Sequence, residues 1–162
     1  MVAFSLKDIV DQLEMLSDDT LAYLNPNTGE LFSLTGDERR MLADEDFDEE
    51  DLPQWQRDQW PKMREVFDSG EFLTLPTKYD IHEWEIMNQF AQSQRSDRRR
   101  DELLDAIHGR GAFRAFTSAI YRMGIEKQWF AFRDAALEEI AKEWLEEHGI
   151  PIKPAVASQF GI

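Results

Sequence analysis

The sequence predicts a mostly helical α+β fold with a small antiparallel sheet in its N-terminal half. Three observations carry this. Apolar residues recur at helical spacing near the N-terminus and through most of the second half. Two short runs rich in Leu, Tyr and Phe flank the turn-forming NPNTG. Beyond residue 80 no strand signal appears, while glycines stand where helices should stop. A chain of 162 residues is of single-domain size. Residues 1–150 are read as one α+β domain with an acidic connector at 44–52, and 151–162 as an extended tail.

In chain order, Ser5 is placed to cap a first helix whose apolar stripe is Leu6, Ile9, Val10, Leu13 and Leu16. Asp18 and Asp19 end it. LAYL, NPNTG and ELFSL read as strand, turn and strand, with Pro26, Asn27 and Gly29 supplying the turn. Residues 37–51 hold nine acids, interrupted by Met41, Leu42 and Phe47, and read as a short helix followed by the connector. A helix follows from Pro53 to Phe67, with a kink or break expected at Pro61. Phe72 to Pro76 is a strand able to join the hairpin as a third. Helices are then expected over 80–92, 96–108, 111–123 and 126–147, the third stopped by Gly124 and the last by Gly149 and Pro151. Trp84, Trp129 and Trp144 fall at core spacing, and Phe113 is placed on an apolar helix face.

Composition narrows the function. Acids outnumber bases 33 to 18, a net charge of -15. Phosphate contacts need clustered Lys and Arg, so the overall field speaks against nucleic acid as a partner; it permits a basic protein partner, or serves solubility alone. The absence of Cys excludes disulfides, thiol catalysis and thiolate-bound metals. No apolar run reaches the length of a membrane span, and Lys7, Asp8, Asp11 and Glu14 interrupt any signal-peptide pattern. A cytoplasmic location is the expectation.

The segments YLNPNTGE, YDIHEWEIMNQF, LLDAIHGRGAFRAF and YRMGIEKQWFAFRDAALEEIAKEWLEEHGI resemble an uncharacterised bacterial protein family, number 158 of the UPF series. The resemblance runs from Ser5 to Ile150. It implies a bacterial protein and brings no activity, substrate, cofactor or catalytic residue.

Four groups of residues invite a chemical reading. His82, Glu83 and Glu85 combine imidazole with carboxylates, as a metal-dependent hydrolase would. On a helix, however, Glu83 faces away from the other two, and Asp80 with Glu83 has the spacing of a capping box. No HExxH is present, so no metal or cofactor is assigned. Asp44 to Asp48 imitates the start of a calcium loop, but Glu49 and Trp55 stand where Gly and Glu are needed.

The third group is basic. Residues 95–122 hold seven Arg and four acids. Gly109, Arg110 and Gly111 precede a helix on which Arg114, Thr117 and Tyr121 share the face of Arg110. This set would suit a phosphate or nucleotide; the competing reading is that the arginines balance the protein's own acids. Fourth, Arg133 falls in the apolar arc of the last helix, beside Trp129, Phe130 and Leu137. A charge there needs a partner, and Glu83 is the first expected, with Asp105 second.

The leading functional expectation is a non-enzymatic acidic interaction or regulatory protein. Its surface would be Asp46, Asp48, Trp55 and Trp60, where acids and aromatics stand together.

Overall fold

The computed structural model describes residues 1–154; the expected tail over 155–162 lies outside the described residues. The fold is mostly helical α+β. The chain divides into two compact units: Met1–Lys78 with Ala141–Ile162, and Tyr79–Ile140.

In the first unit, α1 (Leu6–Glu14) buries Ile9, Val10 and Leu13, the stripe visible in its sequence. Ser5 takes the extended backbone of an N-cap, but its side chain makes no capping bond. Strands β1 (Thr20–Leu24) and β2 (Leu31–Thr35) pair antiparallel from Thr20 opposite Thr35 to Leu24 opposite Leu31. Asn25, 1% exposed, closes the turn between them. Its side-chain oxygen accepts from the backbone N–H of Asn27 at 2.9 Å and of Thr28 at 3.3 Å. β3 (Leu73–Thr74) adds antiparallel to the other edge of β1, giving the order β2-β1-β3. Thr35 caps α2 (Gly36–Ala43) in a full capping box with Glu38. α3 (Gln54–Asp68) runs unbroken through Pro61, so the expected division into two pieces does not occur.

Tyr23, Leu34, Leu42, Leu52, Trp60, Met63, Val66 and Phe72 form one apolar cluster of this unit. The sheet contributes one face, and α2 and α3 cover it with theirs. Burial pushes the Tyr23 phenol above its ordinary pKa of 10.0, against a smaller opposite pull from Arg39. At the rim, Lys62 donates to Glu30 at 2.8 Å and lies 3.0 Å from Glu65; these two bonds raise the ammonium above its ordinary 10.5. The start of the tail is pinned rather than loose. Phe4 donates to Pro151 at 2.9 Å and accepts from Lys153 at 2.7 Å, a parallel bridge between the two ends of the described chain.

The second unit holds α5 (Glu83–Gln92), α6 (Asp97–Ala106), α7 (Ala112–Met123) and the first part of α8 (Glu126–Glu147). A short α4 (Lys78–Ile81) leads into it. Phe90 is the hub of its core. Its ring centroid lies 5.3 Å from Trp129, 5.3 Å from Phe132 and 6.3 Å from Phe116, each edge to face. Three aromatics expected inside lie outside, Phe130 of α8 among them at 47% exposure. Phe113 is 60% exposed, because the buried arc of α7 is the narrower one of Phe116, Ala119 and Ile120. Trp84 is 44% exposed; it packs edge-on against His108 and spends its indole N–H on the Ile107 carbonyl at 2.9 Å.

Candidate functional site

The acidic connector is built by its own side chains. α2 stops at Asp44, whose carboxylate accepts from the Asp46 N–H at 3.0 Å. Asp48 does the same for Glu50 and so caps a single 3₁₀ turn, Glu49–Asp51. Leu52 then drops into the core, and Pro53 opens α3. Asp44, Glu45, Asp46, Asp48, Glu49, Glu50 and Asp51 are all exposed. Among the described residues none of them forms an ion pair. With so little countercharge, this segment carries an intense local negative potential.

An aromatic group lies beside it. Phe47 turns inward from the connector and tilts against Trp60, with centroids 5.3 Å apart. Arg64, one turn on, sets its guanidinium 5.4 Å from the centre of the Trp60 ring. It is held there by the Leu42 carbonyl at 2.7 Å and Asp68 at 3.1 Å. A cleft of about 590 Å³ opens between Phe47, Asp48, Glu49, Trp60, Pro61 and Arg64. Asp48 and Trp60, both expected in the partner surface, thus line one cleft. Trp60 is 6% exposed and belongs chiefly to the core, whereas Trp55 is 63% exposed. Sequence reasoning missed Pro61 and Arg64. The spacing of Trp60 and Arg64, four apart on a helix, was the signal available.

The basic set is arranged differently. Gly111, at φ +66°, precedes α7 with no side-chain cap. Arg110, Arg114 and Tyr121 are exposed, and neither arginine forms an ion pair among the described residues. Among the described residues, ion pairs within the segment 95–122 join Arg100 to Asp97 and Arg122 to Glu102. The face is open: a methyl group added to Gly109 or Gly111 would meet nothing within 4 Å.

Arg133 and Glu83 are brought together. Arg133 Nη2 donates to Glu83 Oε1 at 2.5 Å, and its Nε lies 3.4 Å from Oε2. Both side chains are largely buried, at 21% and 16% exposure. Glu83 reaches this position as the first residue of α5, not the third. The N-cap of α5 is His82, not the Asp80 expected from the sequence. Asp80 lies within α4, and His82 breaks the helix at φ +55° and ψ +61°. His82 itself is exposed. Among the described residues no three His, Asp or Glu side chains are grouped to hold a metal ion.

Among the described residues no helix is long and apolar enough to cross a membrane. Comparison with protein-family models, curated proteins and solved structures found no match.

Proposed function

We propose that this chain is a non-enzymatic interaction or regulatory domain of the bacterial cytoplasm that docks a basic partner through residues 44–60. One observation carries the reading: seven exposed, unpaired carboxylates stand next to an exposed tryptophan and an aromatic cleft. The carboxylates would attract and orient a cationic segment over a distance of about 8–10 Å at physiological salt. Trp55 would supply the desolvated anchor that charge alone lacks. The cleft at Trp60 would take an apolar side chain lying between the partner's cations.

The test is titration with a lysine- and arginine-rich peptide containing one phenylalanine, followed by calorimetry and tryptophan fluorescence. Binding should weaken at least about tenfold between 50 and 300 mM salt. Asp46→Asn with Asp48→Asn, and separately Trp55→Ala, should each weaken it further. Absence of binding at low salt, or binding untouched by both variants, would remove the proposal.

A further inference from the structure

A second cleft, of about 460 Å³, lies wholly within the second unit. Phe90 and Ser93 from the end of α5, Gln94 and Arg95 from the loop after it, Ser96 and Arg99 from the start of α6, and Gln128 from α8 line it; Phe90 is buried at its floor, and Ser93, Arg95, Ser96, Arg99 and Gln128 are exposed. In a chain with 33 acids, no carboxylate lines this space. The nearest acid in sequence, Asp97, is engaged by Arg100 at 2.6 Å. Arg95 and Arg99 form no ion pair among the described residues. The second unit is also nearly neutral, with eleven acids against nine bases, so most of the net -15 belongs to the first. The general argument that an acidic protein repels phosphate is therefore weak at this place.

The donors can be counted. The Ser93 hydroxyl is spent on the Phe90 carbonyl at 2.6 Å, and one Gln94 N–H on the same oxygen at 3.3 Å. The Ser96 oxygen caps α6 by accepting from the Arg99 N–H at 3.3 Å, which leaves its own proton to give. What remains is two guanidinium forks, one hydroxyl, the second N–H and the oxygen of Gln94, and the Gln128 carboxamide. Guanidinium forks match the paired oxygens of a phosphate, and two of them match its double charge. The site thus combines the start of α6 with exposed side chains from the preceding loop and from α8 around an open cleft.

We infer that this cleft binds a phosphate monoester with a small polyhydroxylated body. The volume exceeds what a bare phosphate fills and falls in the range of small-molecule sites. Gln94 and Gln128 offer both donor and acceptor atoms to hydroxyl groups. Phe90 is 3% exposed, with its ring packed among Trp129, Phe132 and Phe116, so it presents no platform for stacking a base. A sugar phosphate fits this lining better than a nucleotide does. The inference is independent of the acidic surface and goes beyond it.

Ribose 5-phosphate, inorganic phosphate, ribose and AMP serve as probes, by calorimetry and by amide chemical shifts of the unmodified protein at constant ionic strength. Ribose 5-phosphate should bind more tightly than phosphate and at least as tightly as AMP, and ribose should not bind. Shifts should centre on Ser93 to Arg99 and Gln128. Arg95→Gln with Arg99→Gln should cost at least about tenfold in affinity. Arg110→Gln with Arg114→Gln, which removes the same charge from α7 and the turn before it, should leave it within about twofold. No binding of any phosphate probe at about 10 mM, shifts centred on α7, or equal losses in the two variants would overturn the inference. Tighter binding of AMP than of ribose 5-phosphate would overturn the assigned ligand class.

Discussion

Arg133 and Glu83, fifty residues apart in sequence, hold each other at 2.5 Å beside the aromatic core of the second unit. A pair with this little exposure is expensive to break and contributes little net, because both ions lost water to enter it. Arg133→Met should therefore lower stability by about 1–3 kcal/mol, by leaving Glu83 without its guanidinium. Arg133→Met with Glu83→Leu should recover much of that loss. Urea unfolding of the two single variants and the double variant would measure the coupling. Additive losses would show that the two side chains act separately.

Two tryptophans five residues apart on α3 should behave in opposite ways. Trp60 packs against Phe47 and under Arg64, so Trp60→Ala should cost about 3–5 kcal/mol. Trp55 is mostly in water, and Trp55→Ala should change stability by less than about 0.5 kcal/mol. Iodide quenching reads the same difference: much of the accessible fluorescence should disappear with Trp55. Loss of affinity for a basic peptide without loss of stability would mark Trp55 as a contact residue.

What the sequence discloses depends on how local the cause is. The strands, the third strand on β1 and the helices from α6 onward follow from periodicity and turn residues, which act over a few positions. The pairing of Arg133 with Glu83 is legible for a different reason: each is a charge set among apolar neighbours, and two such anomalies need each other. The break at His82 is not legible. A left-handed residue is normally announced by Gly or Asn, and here it falls on His, so the Asp80–Glu83 spacing points to Asp80 as the N-cap where the structure has His82. The role of Asn25 was also missed, because Pro26, Asn27 and Gly29 already explained the turn. The cleft at Arg95 and Arg99 was out of reach for a third reason. It needs Gln128 from α8, and only packing brings that residue near.

Alkaline pH should destabilise the first unit through two groups. Tyr23 and Lys62 both hold their protons more tightly folded than at their ordinary values of 10.0 and 10.5. Their contributions are therefore complete below about pH 10 and fall as pH rises through the raised folded values. The causes differ: burial protects the neutral phenol, while Glu30 and Glu65 favour the charged ammonium. Urea midpoints between pH 8 and 11 should decline from about pH 10, and Tyr23→Phe and Lys62→Met should each flatten the decline. A decline of unchanged steepness in both variants would place the sensitive groups elsewhere.

His82 gives the most local test of how Glu83 is aimed. Left-handed backbone costs an L-residue with a Cβ about 1–2 kcal/mol, and a β-branched side chain more. His82→Gly should therefore hold stability or raise it by up to about 1 kcal/mol, the gain reduced by the entropy of the unfolded glycine. His82→Val should lower it by about 1–2 kcal/mol. The imidazole is exposed, so these differences report the backbone and not lost packing. Because the break at His82 makes Glu83 the first residue of α5, a substitution that straightens this turn should also loosen the ion pair. His82→Val and Arg133→Met should then be less than additive when combined, whereas His82→Gly and Arg133→Met should simply add. Simple additivity in the His82→Val combination would show that the pair forms without help from this turn.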